Sequence, residues 1–321
     1  MTSQVPLRCC VLGATGFIGG QIARAAVAQG WLVRGVRRQA TSVGALGDLE
    51  IEWVTGDLDD PASLVMAMRG CPLVFHAAGY DPHPELEIGN ALRHGVTTMR
   101  NVLTAAAMAG VKRVVYTSAF TTVGPSPDPI RMAGEQDFYV PGSVPFPYFE
   151  VKWAMEMEAV RATVYGLPVI IVVPGLVLGP GDVRPTSGRL LLLIARGRLR
   201  GYLEGEVNVV DVRDVASGEL AAARRGTPGH RYILGGHNIT LRELHNLVAQ
   251  AVGRRPPTSK QSLTLSGKDD VPGSHQLRAI RYWQYLDTSR SRAELGLPEP
   301  IPLEQTCQDA LEWFRERGLL K

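Results

Sequence analysis

Apolar residues along this chain fall into two kinds of pattern. Short continuous runs occur at Arg8 to Leu12, Leu32 to Val36, Glu50 to Val54, Leu73 to His76, Arg113 to Thr117, Val169 to Val173 and Arg231 to Leu234. Their β-branched, nearly unbroken apolar character suits strands buried on both faces. Between them, apolar residues recur every three to four positions at Phe17 to Gln29, Pro61 to Arg69, Glu85 to Ala109, Tyr148 to Tyr165 and Val212 to Arg224, with Gly, Asp or Pro bracketing several stretches. These predict helices. Strand and helix in alternation predict an α/β fold, a doubly wound parallel sheet with helices on both faces.

Two regions break the rhythm. Pro125 to Pro147 holds six prolines and little periodicity, which predicts a long surface loop near a functional site. After Pro174 come a Gly/Pro segment, a Leu-rich helix at Arg189 to Arg196 and a return strand at Val207 to Asp211. A helix at Thr240 to Val252, a Pro/Ser/Gly stretch from Arg254 to Ser274 and a terminal helix at Leu303 to Arg317 complete the chain. The expected organisation is a dinucleotide-binding domain over 1–174, with 207–234 returning to it, and a smaller substrate-binding cap from 175–206 and 235–321.

Composition narrows the function. The 321 residues are 45% apolar and 20% charged, an ordinary globular balance. Thirty-four basic against 31 acidic residues leave a net charge of +3, too small and too dispersed to imply a nucleic-acid or membrane partner. Only five of the basic residues are lysines (112, 152, 260, 268 and 321). Four cysteines at 9, 10, 71 and 307 form no disulfide framework, and no apolar run approaches the ~18 residues that span a bilayer, so a cytoplasmic protein is expected. The seven histidines lack paired ligand spacing, so no metal site is expected.

The first strand runs directly into Gly13-Ala-Thr-Gly16-Phe-Ile-Gly19, and a helix follows. Glycines at this spacing turn the chain, let backbone approach a pyrophosphate and allow close helix–strand packing, with the helix N–H groups aimed at the phosphate charge. The second strand ends in Val36-Arg37-Arg38, with no carboxylate before Asp48. Arginine there accommodates a ribose 2′-phosphate, so NADP(H) is expected over NAD(H).

Further along, Tyr148 and Lys152 stand four apart at the start of a helix, hence on one face. A phenol of pKa ~10 becomes a useful acid–base group near neutrality when an ammonium and a bound nicotinamide cation lower its pKa.

Together the G-x-x-G-x-x-G turn, the Tyr-x-x-x-Lys-x-x-x-Glu run, His76-Ala-Ala-Gly79 and Pro174-Gly-Leu-Val-Leu-Gly-Pro180 resemble the extended branch of the short-chain dehydrogenase/reductase family. Asn208 to Val215, Tyr232 to Leu241 and Tyr285 to Gly296 carry the resemblance on toward its dihydroflavonol reductase-like and hopanoid-associated epimerase-like members. The resemblance implies a Rossmann fold. It implies cofactor contacts from Gly13, Thr15, Gly16, Phe17, Ile18 and Gly19, from Asp57 and Leu58 toward adenine, and from Ala77, Ala78 and Gly79 toward the adenine ribose. Thr117, Tyr148, Lys152 and Pro174, Gly175, Leu176 and Val177 would meet the nicotinamide half. It makes Tyr148 the proton donor and Lys152 its partner. Two positions depart from the pattern: Ala119 stands where a serine usually contacts the reacting oxygen, and Gly95 where an asparagine is common. Thr121 or Ser118 is the expected replacement oxyanion partner.

Nucleotide-sugar members of this branch hold a diphosphate with an arginine before the return strand, where this chain has Glu204-Gly-Glu206. An apolar carbonyl substrate is therefore expected, with Phe138, Tyr139, Phe146, Phe149, Trp153 and Tyr202 as candidate lining. Three readings follow: an NADP(H)-dependent reductase of a ketone or aldehyde; an epimerase or dehydratase with tightly held cofactor; and, motivated by Ala119 and Gly95, a non-catalytic NADP(H) sensor. Members of this branch pair through the two long helices, here Glu85 to Ala109 and Tyr148 to Tyr165, or stay monomeric, and both states remain open.

Overall fold

Seven strands, one from each of the expected apolar runs, line up in a single parallel sheet. The computed structural model describes residues 6–38, 40, 43–82, 86–126, 130–199, 201–260 and 279–320. In chain order the elements are β1 (Arg8–Leu12), α1 (Phe17–Ala28), β2 (Leu32–Arg37), β3 (Glu52–Thr55), α2 (Pro61–Met68), β4 (Leu73–His76), α3 (Ile88–Met108), β5 (Arg113–Thr117), α4 (Pro147–Val164), β6 (Val169–Pro174), β7 (Leu176–Leu178), α5 (Gly188–Ala195), β8 (Glu206–Asp211), α6 (Val212–Arg225), β9 (Arg231–Leu234), β10 (His237–Thr240), α7 (Leu241–Ala251), α8 (Ser289–Leu295) and α9 (Leu303–Glu316). The sheet order is β3-β2-β1-β4-β5-β6-β9. The chain winds outward in both directions from β1 and β4, so a crevice opens between their C-terminal ends, where α/β sheets bind ligands.

The period of two along each strand divides the core. Cys10, Leu12, Val74, Val114, Tyr116 and Ile171 face one way, into residues of α2, α3 and α4 such as Leu64, Met99, Val102, Val151 and Met155. Cys9, Val11, Phe75, Val115 and Val172 face the other, into Ile22, Ala26, Val215 and Leu220 of α1 and α6. Helix starts are specified locally. Asp60 accepts from Ala62 and Ser63 with Pro61 following, and Thr240 and Glu243 form a reciprocal capping box. All four cysteines are buried free thiols. Among the described residues no helix is long and apolar enough to cross a membrane.

Within 207–234, α6 packs on the large sheet and β9 joins it, but the expected return strand at 207–211 does not. β8 pairs with β7 in parallel and with β10 antiparallel in a separate three-stranded sheet, and of this stretch only β9 joins the large sheet. Pro174-Gly175 ends β6 and turns the chain into β7, which gives β8 a nearer partner. α5, α7 and α9 cover this small sheet with Leu191, Leu244, Leu311 and Phe314. The helix α8 is also an addition. His83, Arg200, His275 and most of the Pro/Ser/Gly stretch lie outside the described residues.

Beneath the C-terminal end of β5, Thr117 Oγ1 donates to Glu219 Oε1 of α6 at 2.5 Å, and Glu219 is fully buried. Burial pushes its carboxyl up to about 8, with the Thr117 hydrogen bond opposing. The folded state therefore keeps a proton that the unfolded chain releases near 4.5. The stability this contributes is complete below that value and is progressively lost as pH rises to about 8. Glu219→Gln, which cannot ionise, is expected to abolish this part of the pH dependence in urea denaturation between pH 5 and 8. Parallel pH profiles for the two proteins would contradict it.

Candidate active site

The C-terminal ends of β1, β2, β4, β5 and β6 border the crevice. β1 leaves the sheet at Gly13, whose φ of +85° favours glycine, and a Cβ there would lie 2.7 Å from Ala78 N. Gly16, exposed, caps α1 without a side-chain hydrogen bond, and the first turn of α1 carries no acidic residue. Gly19 allows the helix to approach its own entry turn, since a Cβ would stand 2.2 Å from Gly13 O. The result is an α1 N-terminus whose amides and dipole are open to an anion. Gln21 Nε2 donates to Pro180 O at 2.9 Å, which draws the Gly179–Asp182 segment against the start of α1. Ala77, Ala78 and Gly79 follow β4 and stay partly open to the crevice. At its far end Arg37 lies with its guanidinium over the Trp53 ring at 5.1 Å, its buried Nε without a partner, while Arg38 is exposed. Asp57 is exposed, with Oδ1 accepting from Asp59 N at 3.1 Å, and Leu58 O accepts from Asn101 at 2.8 Å. A dinucleotide carrying a pyrophosphate fits these features: a glycine cradle no larger residue could make, a helix terminus free of carboxylates, and an arginine with an unspent donor.

On the other side, Phe146 holds extended backbone and Pro147 opens α4, which places Tyr148 and Lys152 one turn apart. Lys152 is buried, with Nζ 5.5 Å from the Tyr148 ring centroid and 3.6 Å from where a Gly79 side chain would begin. Burial pushes Lys152 down to about 8, partly opposed by the Asp81 carboxylate. Tyr148 is pushed up, by burial first and then by Asp81. The expectation that Lys152 lowers the phenol is thus not met by these two residues alone: the ammonium faces the ring, and burial dominates.

Aromatic side chains wall this end. Tyr139, Phe146, Phe149 and Tyr282 contact one another with ring centroids 5.9–6.5 Å apart, and Tyr148 and Trp153 pack against the same cluster. Glu150 ties the wall down, accepting from Tyr139 Oη at 2.6 Å and Gly142 N at 2.5 Å. Of the expected lining residues, Phe138 instead lies under Arg231 at 4.2 Å, and Tyr202 stacks with Arg242 away from the cluster.

The geometry agrees with what comparison reveals: the family model described as the NAD dependent epimerase/dehydratase family matches residues 9–235. The chain belongs to this family. A putative dihydroflavonol 4-reductase from Synechocystis sp. is 32% identical, covering 97% of this chain and 95% of that protein. Sterol demethylase protein B from Methylococcus capsulatus is 33% identical, covering 97% and 99%. A crystal structure of a nucleoside-diphosphate-sugar epimerase from Pseudomonas aeruginosa superposes with a TM-score of 0.86 at 29% identity, covering 99% of this chain and 100% of that one. The protein is thus an enzyme of the extended short-chain dehydrogenase/reductase type, and the third reading, a non-catalytic sensor, falls away.

Within this family member, the two departures acquire physical reasons. Gly95 lies where α3 crosses α4, and a Cβ there would stand 2.7 Å from Val151 Cγ1 and 3.4 Å from the Tyr80 ring. The slot is filled, so no amide side chain fits. Ala119 is followed by a short 3-10 turn, Phe120–Thr122, and three hydroxyls lie around it: Ser118 just before, Thr121 and Thr122 within the turn. Ser118 Oγ donates to Glu156 Oε2 at 2.5 Å and Thr122 Oγ1 donates to the same oxygen at 2.6 Å. Thr121 Oγ1 is buried with no partner among the described residues. Of the two expected oxyanion partners, Ser118 is committed to a carboxylate and only Thr121 keeps an unspent hydroxyl.

Sequence reasoning placed Glu156 in the Tyr-x-x-x-Lys-x-x-x-Glu run but assigned it no role, and it is the group that arranges this. Glu156 is completely buried, and its Oε1 lies 2.7 Å from Arg231 Nε, a charge pair rather than an aligned hydrogen bond. Arg231 in turn donates to the carbonyls of Thr122, Glu135 and Asp137. The signals were present: a carboxylate one turn beyond Lys152 on its face, and an arginine opening an apolar strand. Gly95→Asn, which installs the usual family residue, is expected to destabilise the fold by about 1–3 kcal/mol through overpacking. Adding Val151→Ala should return part of that loss in chemical denaturation, and an unchanged single variant would contradict the closed slot.

Proposed function

We propose that this enzyme is an NADP(H)-dependent reductase of a ketone or aldehyde on a small, mostly apolar substrate. The observation that carries the reading is the aromatic wall built against Tyr148, opposite a crevice end that offers two arginines and no carboxylate to a ribose 2′-phosphate. The nicotinamide cofactor, when bound, supplies the hydride. Tyr148, a half-buried phenol whose desolvation favours the protonated form, gives its proton to the substrate oxygen as that oxygen gains charge. Lys152 is the cation beside the phenol, and its ammonium is placed to hold ribose hydroxyls and steady the ring. Thr121 donates the hydrogen bond that Ala119 cannot. Arg37 and Arg38 would hold the 2′-phosphate through charge-assisted hydrogen bonds. The reductase name borne by the Synechocystis relative supports this direction of reaction.

A second reading, an epimerase or dehydratase that reoxidises its own cofactor, is favoured by the epimerase name of the Pseudomonas aeruginosa structure. Against a nucleotide sugar stands the segment before β8. Glu204 is paired there with Lys260, and Glu206, which opens β8, adds a second carboxylate where a diphosphate would need cations.

NADPH consumption with a panel of apolar aryl and alkyl ketones and aldehydes tests the proposal. Turnover should be abolished by Tyr148→Phe and reduced about 10²- to 10³-fold by Thr121→Val, the loss of one oxyanion donor. In fluorescence titrations NADPH should bind at least about tenfold more tightly than NADH, and replacing Arg37 and Arg38 by alanine together should erase the difference. Equal affinities in the wild type would remove the cofactor assignment, and retained turnover in Tyr148→Phe would remove the mechanism.

A further inference from the structure

One buried group behind the Tyr148–Lys152 pair has no task in the mechanism above. His76 is the last residue of β4, only 1% exposed, with its ring 5.4 Å from that of Tyr116, its register partner on β5. Neither ring nitrogen has a hydrogen-bond partner among the described residues. A neutral imidazole has one donor and one acceptor, and leaving both unpaired in a protein interior is costly. Such orphans are rare and mark a bound water or a functional role.

The surroundings say which. Burial, reinforced by the nearby Lys152 ammonium, pushes the imidazole down to about 3, so it is neutral and keeps an acceptor lone pair at any working pH. Lys152 carries three donors and shows no hydrogen bond to a protein group among the described residues, beside a Tyr148 ring that takes only the ammonium's charge. The position from which a family asparagine would approach this helix is closed by Val151 and Tyr80 at Gly95.

We propose that His76 is a positioning residue for Lys152: its imidazole, through an ordered water, accepts a hydrogen bond from the buried ammonium. This rests on the reading that Lys152 serves Tyr148 and the cofactor. The groups that bear on Lys152 are His76 from β4, Gly79 and Asp81 from the segment after it, and Tyr148 on its own helix. Asp81 favours the charged ammonium, burial disfavours it, and a neutral acceptor at His76 adds to the favourable side without adding charge.

The test reads Lys152 directly in the protein alone and needs no substrate, so it can fail while the reductase reading stands, and the reverse. With five lysines in the chain, [ε-13C]lysine labelling gives a countable NMR spectrum, and Lys152→Arg assigns the signal. The wild-type Lys152 signal should titrate well below the other lysines. His76→Leu should lower its midpoint by a further one pH unit or so, about the worth of one hydrogen bond to a charged group, and His76→Asn, which keeps an acceptor, should restore most of it. An unchanged midpoint in His76→Leu, or an equal fall in His76→Asn, would overturn the proposal. Should His76→Leu fail to fold, the 15N signals of the His76 ring decide. In Lys152→Met the acceptor nitrogen should shift, and an unmoved resonance would overturn the proposal just as well.

Discussion

The buried charge pair between Glu156 and Arg231 is the constraint on which the reactive end depends. Both residues are almost wholly out of water, where an unpaired charge is expensive, so each must be satisfied by the other and by every hydroxyl and carbonyl within reach. Glu156 takes the hydroxyls of Ser118 and Thr122, and Arg231 takes three loop carbonyls. Satisfying two charges thus fixes four pieces of chain at once: α4 with Tyr148 and Lys152, the turn after β5, the segment around Glu135 to Asp137, and the first residue of β9. Losing either partner of such a pair costs about 3–5 kcal/mol, because the other is left buried and uncompensated.

The same pair sorts the hydroxyls around Ala119, on which the proposed replacement for the usual serine rests. Two of the three hydroxyls near Ala119 are spent on the carboxylate, which holds the 3-10 turn in one conformation and leaves Thr121 alone unspent. The described part of the proline-rich segment, from 130 to 147, is likewise no loose loop. Glu135 accepts from Ile233 N and from Ser291, Asp137 binds Arg131, and Glu150 holds Tyr139 and Gly142, so the aromatic wall rests on buried carboxylates at each turn. The proposed substrate surface needs that support, since aromatic contacts alone do not fix loop backbone in place.

Much of this was legible in the sequence, for reasons that separate local from distant information. The seven strands of the large sheet announced themselves because burial on both faces forces continuous apolar runs, and the glycine turn and the Tyr148–Lys152 pair because their spacing is their function. β8 was misplaced because a strand's run of valines does not say which neighbour it will pair with. The roles of Glu156, Arg231, Glu219 and His76 escaped, though two of them stood in quoted motifs, because a polar residue in an apolar stretch reads as a solvated position until the fold supplies its surroundings. The closed slot at Gly95 was visible only as a departure, since its cause is a valine on another helix.

The account stands or falls on net hydride transfer to a substrate carbonyl with Tyr148 as the acid. The most direct measurement gives the enzyme NADPH deuterated at C4, on whichever of the two faces it uses, together with an aryl ketone or aldehyde that it turns over, and reads the product by mass spectrometry. The account predicts an alcohol carrying one deuterium on the carbinol carbon and one equivalent of oxidised cofactor. Product that is isomerised or dehydrated, unlabelled, with the cofactor unchanged, would contradict it.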